Sequence, residues 1–242
     1  MAKHVARLRA EGHAIEAVTR RGYRLLAERD ALDGPALGAG LRTRVFGKTG
    51  WRVLEETTST SLEGARLASE GAGEGFVIVA ERQTRGRGRK GHDWISLPRG
   101  LQFSVILRPE TAGWDAELFT RLGTLAVAGA IRDGAGLEPE CKAPNDVLVN
   151  GRKIAGILVE TGMRGPDPEW AVIGIGCNIN ALREDFPEES RGRFTSTLVE
   201  TGRVLSRASL LSSMLETLER LYDRMRKGLI TRETVDSLFR VQ

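Results

Sequence analysis

Val147-Leu148-Val149 is followed by Asn150-Gly151 and then by a second strand-forming stretch, Lys153 to Glu160. A two-residue connection of the primed type needs positive φ at both positions, and Asn-Gly meets that demand at little steric cost. The two stretches are therefore expected to pair as an antiparallel hairpin, which excludes a purely parallel sheet. Other strand-like runs alternate with helical ones, so the expected architecture is α+β, a mixed sheet flanked by helices.

Those runs are Trp51 to Glu56, Phe76 to Ala80, Leu101 to Leu107 and Ala171 to Asn180 for strands. Helices are expected over Ser61 to Glu70 and Asp115 to Asp133, where Leu118, Leu122, Leu125, Val127 and Ile131 recur at helical spacing. Ser206 is a capping residue for a third helix, whose stripe Leu211, Leu215, Leu218, Tyr222 and Met225 reads as core and which Gly228 ends. Ala181 to Phe194 is polar enough to be a loop. No internal repeat is apparent.

The first 26 residues form a different unit. A helix over Ala2 to Glu11 precedes two short alternating segments, His13 to Val18 and Tyr23 to Leu26, joined by Thr19-Arg20-Arg21-Gly22. This resembles the second half of a winged helix-turn-helix, with Lys3, Arg7 and Arg9 on the helix and Arg20 and Arg21 at the wing tip. Six Lys/Arg against two Glu in this segment account for the whole net charge of +4. Twenty-six residues cannot bury a stable core alone, so a basic remnant, packed on the main domain or left mobile, is expected, and DNA binding is not. Residues 27–44, with Gly34, Pro35, Gly38 and Gly40, read as a linker. A catalytic domain is expected over 45–242.

Several classes are excluded. The chain of 242 residues has two cysteines, Cys141 and Cys177, too few for a disulfide framework. His4, His13 and His92 lack metal-ligand spacing, so neither a zinc hydrolase nor a histidine-centred triad is supported. The Gly174-Ile175-Gly176 run lacks the third glycine and helix start of a dinucleotide fingerprint, and no Gly-x-Ser-x-Gly elbow is present. Without an apolar membrane-spanning run or a signal-peptide core, a cytoplasmic address is expected.

Two segments carry chemistry. In Glu81-Arg82-Gln83-Thr84-Arg85-Gly86-Arg87-Gly88-Arg89-Lys90-Gly91-His92-Asp93-Trp94, five of the nine residues from Arg82 to Lys90 are basic. Interleaved glycines let such a loop wrap guanidinium groups around a carboxylate or phosphate, and a solvated nucleic-acid-binding stretch has the same composition. Its place between two apolar strands favours the ligand-wrapping reading. The second segment is Lys142-Ala143-Pro144-Asn145-Asp146, followed by Lys153-Ile154-Ala155-Gly156-Ile157. A lysine held before a rigid corner suits stabilisation of charge on phosphoryl oxygens, although Pro-Asn-Asp is also ordinary turn chemistry.

Taken in order, Gly86-Arg87-Gly88-Arg89-Lys90-Gly91 with Trp94, and Lys142 and Pro144-Asn145-Asp146 with Lys153-Ile154-Ala155-Gly156-Ile157-Leu158, resemble the signatures of biotin protein ligases. Thr58-Ser59-Thr60, Gln83 and Gly174-Ile175-Gly176-Cys177-Asn178-Ile179-Asn180 agree with that resemblance, which spans roughly residues 52–227. The resemblance implies a catalytic domain like those of class II aminoacyl-tRNA synthetases and biotin synthetases. It implies ATP, Mg²⁺ and biotin as ligands, biotinyl-5′-adenylate as intermediate, and a biotin carboxyl carrier protein as acceptor.

By the same resemblance Arg87, Arg89 and Lys142 are catalytic, and Ser59, Thr60, Gln83, Gly86, Arg87, Lys142, Gly156 and Gly174 hold biotin. Arg89, Lys90, Trp94, Asn145 and Asn178 hold the nucleotide, and Asp146 is the candidate Mg²⁺ contact. A homodimer is a family-level expectation, and a C-terminal SH3-like barrel is not expected within the chain. Ala143 stands where the family normally has Trp, Ser61 where Asn is usual and His92 where Arg is common, so a wider biotin site is expected beside Ala143. The alternatives are a lipoate or octanoate ligase, and an inactive biotin-binding or DNA-binding regulator.

Overall fold

The computed structural model describes residues 2–10, 13–18, 21–27, 30, 32, 37–38, 40–109, 114–165 and 167–241. A seven-stranded mixed sheet runs through it, with β3 (Trp51–Thr57), β4 (Val77–Gln83), β7 (Leu101–Leu107), β8 (Pro139–Lys142), β9 (Asp146–Val149), β10 (Arg152–Arg164) and β11 (Asp167–Cys177). The spatial order is β3-β4-β7-β11-β10-β9-β8; β3 and β4 are parallel and every other neighbour is antiparallel. Asn150 and Gly151 take φ of 50° and 71° and close the expected hairpin between β9 and β10.

Side chains alternate across a strand, and here the two faces differ in kind. On one face Val77, Val79, Leu101, Phe103, Val105, Leu107, Ile157, Ile173 and Ile175 enter the main core beneath α3 (Ala116–Ala135) and α5 (Arg207–Arg226). Ser206 caps α5 by accepting a hydrogen bond from the Ser209 N–H. The helix α6 (Arg232–Val241) closes this layer against α3. On the other face the central strands present Ser104, Gly156, Gly174 and Gly176, and beside them α2 (Thr60–Ser69) packs over Ile78, Ile106 and Val172. Small residues on that face leave a hollow which bulky ones would fill.

The helix α1 (Ala2–Ala10) and the hairpin of β1 (Ala14–Val18) and β2 (Gly22–Ala27) form as expected, while Arg20 lies outside the described residues. Arg9 ties this unit to the main body through Glu184 at 2.7 Å. The stretch expected as a linker is no loose spacer where it is described: Leu32, Leu37 and Leu41 are buried in the main core. Polar anchors explain why. Arg207, 3% exposed, pairs with Asp30 and Glu81, and Glu219 accepts the N–H groups of Arg44, Val45 and Phe46.

The loop expected over 181–194 contains two 3₁₀ turns, Arg183–Asp185 and Glu188–Ser190. It is more apolar than its composition suggests. Phe186 is buried with Leu97 and Ala181, and Asp185 forms a buried ion pair with Arg99. A short helix, α4 (Thr197–Thr201), follows it. α4 and β8 are too short for period to mark them, whereas α6 carries a helical pair, Val235 and Phe239, that buries against the core and that the sequence reading passed over.

Candidate active site

The hollow on the glycine-bearing face is a cavity of about 500 Å³, within the range of small-molecule sites. Its floor is Gly156, Leu158, Gly174 and Gly176 of β10 and β11, and one wall is the start of α2. The Arg-Gly segment covers it as a small hairpin of β5 (Gly86–Arg87) and β6 (Asp93–Trp94). Leu97, Phe186, Pro187 and Phe194 complete an apolar side.

The inner end is polar and already ordered. Gln83 Oε1 accepts from the Thr60 N–H at 2.7 Å and from its hydroxyl at 3.1 Å. Ser104 donates to Thr60 Oγ1 at 2.9 Å and lies 3.4 Å from the Ser61 hydroxyl. With its carbonyl so engaged, Gln83 keeps its amide N–H groups for a ligand acceptor. Ser59 stands at the N-cap of α2 but its side chain caps nothing. A serine cap is worth about 1 kcal/mol, and here that contribution is forgone while the buried hydroxyl lines the cavity.

At the outer end Trp94 lies flat on the floor. A Cβ at Gly176 would meet its indole at 2.3 Å, and one at Gly156 would meet it at 3.4 Å. Trp94 Nε1 and Asn178 Oδ1 are buried without a hydrogen-bond partner among the described residues. Each such atom costs about 1–3 kcal/mol unless something satisfies it, and a donor and an acceptor both bordering one cavity suit a polar ligand. Asn178 is held by donating from Nδ2 to Thr195 O at 3.1 Å, and Asn145 by donating from Nδ2 to Ile157 O at 2.8 Å.

On the sheet side of the cavity the lysine is Lys153, facing Lys90 of the cover. Its ammonium group pairs with Asp146 at 2.7 Å and sits 5.7 Å from the Trp94 ring centroid. Its backbone is fixed from the far wall, donating to Arg193 O at 2.8 Å and accepting from the Thr195 N–H at 2.9 Å. Regular alternation would put Lys153 on the face opposite Gly156, but the register shifts between Lys153 and Ala155. That β-bulge re-aims the side chain into the site. A bulge has no signature in period-two patterning, and this is why sequence reasoning passed over Lys153 in favour of Lys142.

The structure brings together Ser59, Thr60, Gln83, Arg87, Arg89, Lys90, Trp94, Asn145, Asp146, Gly156, Gly174 and Asn178 on one cavity. It does not bring Lys142 there. That residue is exposed at the end of β8, opposite Asp146 in the strand register, and is absent from the lining. Gly86 is displaced too: it packs behind the cover, where a Cβ would strike Trp94 O at 2.4 Å. Gly174 lines the cavity, yet its close neighbour is the Ser61 hydroxyl, 2.0 Å from where a Cβ would stand. Ala143 is exposed and off the lining.

For Mg²⁺ the residues fit a modest role. Among the described residues no group of three or more His, Cys, Asp or Glu side chains could hold a metal by itself. Asp93 and Asp146 line the cavity, however, and Mg²⁺ usually takes one or two carboxylates together with substrate phosphates.

Comparison with known proteins places this geometry. Residues 51–178 match the model of the biotin/lipoate A/B protein ligase family. The chain is 37% identical over 230 residues to the bifunctional ligase/repressor BirA of Bacillus subtilis, covering 93% of this chain and 70% of that protein. It is 34% identical to the biotin–[acetyl-CoA-carboxylase] ligase of Mycobacterium tuberculosis, covering 80% of this chain and 73% of that one. Among solved structures, the biotin protein ligase of Aquifex aeolicus in complex with biotin and ATP superposes with a TM-score of 0.64 at 29% identity, over 74% of this chain and 72% of that one. With the matched model spanning the cover hairpin, the glycine floor and the bulged strand, this chain belongs to the biotin/lipoate A/B protein ligase family.

Proposed function

We propose that the protein activates biotin with ATP and transfers it to a lysine of a biotin carboxyl carrier protein, and that the cavity described above performs both steps. The observation that carries this reading is one continuous cavity with a preordered hydroxyl and amide cluster at one end and cations at the other. The polar end suits a cyclic urea, which offers one carbonyl acceptor and two N–H donors to Ser59, Thr60 and Gln83. The apolar middle, including Leu158, suits an alkyl chain. Lys153, Arg89 and Lys90 at the other end suit a carboxylate meeting a polyphosphate.

In the first step a carboxylate oxygen of biotin attacks the α-phosphorus of ATP, the bond to the departing pyrophosphate breaks, and biotinyl-5′-adenylate forms. Lys153 is the cation fixed beside this region, and it neutralises charge on the phosphoryl oxygens as that charge grows. Asp146 orients the ammonium group, and Mg²⁺ bound with the nucleotide supplies further charge neutralisation. Asn178 Oδ1 and Trp94 Nε1 are the buried acceptor and donor left for the nucleotide half. In the second step the carrier's neutral lysine amine attacks the acyl carbon and AMP leaves. The cover hairpin keeps water from the mixed anhydride in the interval.

Biotin-dependent exchange of labelled pyrophosphate into ATP tests the reading, with lipoate run in parallel. The expected result is exchange with biotin and not with lipoate. Lys153→Ala should lower the exchange rate by about 10²- to 10³-fold, as loss of a group aimed at developing charge does. Lys142→Ala should stay within about threefold of the parent, since an exposed charge off the cavity lining contributes little. Equal losses in the two variants would remove Lys153 from this role. Exchange with lipoate alone would reassign the substrate. Sedimentation decides whether the protein is a homodimer, and a salt-titrated duplex-binding assay decides whether the basic helix and hairpin engage DNA.

A further inference from the structure

The cations of the cover hairpin are not equivalent, and one of them has an acidic partner on the sheet. Arg82 lies on β4, before the hairpin, and pairs with Glu56 of β3, while Arg85, Arg89 and Lys90 form no ion pair among the described residues. Arg87 donates from Nη1 to Glu160 Oε1 at 2.5 Å. Glu160 lies on β10 on the same face as Gly156 and Leu158, just beyond the cavity floor, and its side chain is only 18% exposed. Arg87 is 48% exposed and lies in β5, opposite Asp93 in the small hairpin.

We propose that Glu160 is a positioning residue for ligand binding: it anchors the cover hairpin to the sheet through Arg87, so that Arg87 serves as a tether while Arg89 and Lys90 stay free for anionic groups. The proposal rests on the biotin reading above. Three features carry it. The contact is short and charge-assisted, which makes it the stronger kind of hydrogen bond. The strand partner is mostly enclosed and fixed in a β-ladder, so holding it there costs little side-chain entropy. The tether also complements the seating of Trp94 on Gly156 and Gly176: β6 rests on the floor through the indole, and β5 is held beside it through the guanidinium. Two contacts on two strands of the hairpin fix its orientation, where one would leave it free to pivot.

A cover whose tether is cut should bind ligand less well without losing its reacting groups. Glu160→Gln should raise the KM for biotin about fivefold, the upper range for a partly exposed ion pair, with kcat for pyrophosphate exchange within about twofold. Biotinyl adenylate should escape into solution faster by a similar factor. Arg87→Gln should raise that KM at least as much, since it also removes a cavity-lining cation, and adding Glu160→Gln to it should bring no further rise, because Glu160 acts through Arg87 alone. Glu160→Asp, which keeps the charge on a shorter arm, should fall between.

Hydrogen exchange of amides 86–94 in the unliganded protein gives a readout independent of catalysis, and it should speed up in Glu160→Gln while the rest of the sheet is unchanged. Faster exchange spread over the whole sheet would mean a structural role only and would overturn the proposal. So would unchanged exchange at 86–94, a silent Glu160→Gln, or single effects that multiply in the double variant. If the parent protein shows no exchange with biotin, the substrate reading fails, while the amide measurement still decides the tether.

Discussion

Gly176 illustrates how much of this site rests on what a residue lacks. The Trp94 indole occupies the space that a single methyl group would need, its ring lying 2.3 Å from where a Cβ would stand. Real side chains do not approach so closely, so Gly176→Ala must push Trp94 off the floor. Such overpacking typically costs about 1–3 kcal/mol. The expected outcome is a protein that still folds, with a biotin KM raised at least tenfold and a shifted tryptophan emission, both measurable in one titration. An unchanged KM would show that Trp94 is free to sit elsewhere when ligand binds. At this scale the sequence was informative about identity and poor about direction. Ser59, Thr60, Gln83, Arg89 and Asn178 were legible because their motifs name them, and all line the cavity. Lys142 and Lys153 are both lysines near a turn, and only the bulge between Lys153 and Ala155 decides which one faces the site.

Elements were easier to read where local chemistry sets them. The Asn150-Gly151 hairpin, the Ser206 cap and the apolar stripe of α5 follow from turn geometry, capping and period, all of which are local. The segment over 27–44 was harder, since its glycines and proline suggest a spacer while its burial depends on charges far along the chain. Arg207 is the decisive one: its guanidinium, enclosed at the start of α5, reaches Asp30, Glu81 and the carbonyl of Gly100. Removing one partner from a buried ion network leaves uncompensated charge and costs about 3–5 kcal/mol. Arg207→Ala is therefore expected to lose roughly that much in urea denaturation. A loss under about 1 kcal/mol would mean that water reaches Asp30 and Glu81 freely once the arginine is gone.

For the whole molecule, the two thiols set an alkaline limit. Burial pushes the Cys177 thiol well above its ordinary 9.0, and it pushes Cys141 up to about 11. Below pH 9 the thiols are protonated in folded and unfolded chains alike, so they give stability no pH dependence. Above pH 9 the unfolded chain ionises while the folded one keeps its protons, and stability falls as pH rises. The slope is at most about 1.4 kcal/mol per pH unit for a fully enclosed thiol such as Cys177. Denaturation curves between pH 8 and 10.5 should show Cys177→Ala declining less steeply than the parent; parallel declines would assign the loss to other groups. The mixed sheet with helices on both faces was legible from hairpin and helix signals together, whereas the enclosure of Cys177 in the main core is a property of the assembled layers alone.

The same Arg207 network bears on how the chain can be dissected. A protease or an engineer looking at composition would cut within 27–44 and expect to separate a basic module from a catalytic one. Such a cut, if made after Leu41, would strip Asp30 from its arginine and withdraw Leu32, Leu37 and Leu41 from the main core. The separable boundary is upstream of Asp30, close to the end of β2 at Ala27. A fragment beginning at residue 28 should retain the parent's cooperative unfolding, and one beginning at residue 45 should precipitate or melt early. The segment from Asp30 to Leu41 is thus part of the catalytic body where it is described, and a rearrangement of the basic hairpin is carried along the chain to Asp30 and through the Arg207 ion pairs to Glu81, on the strand that also carries Gln83.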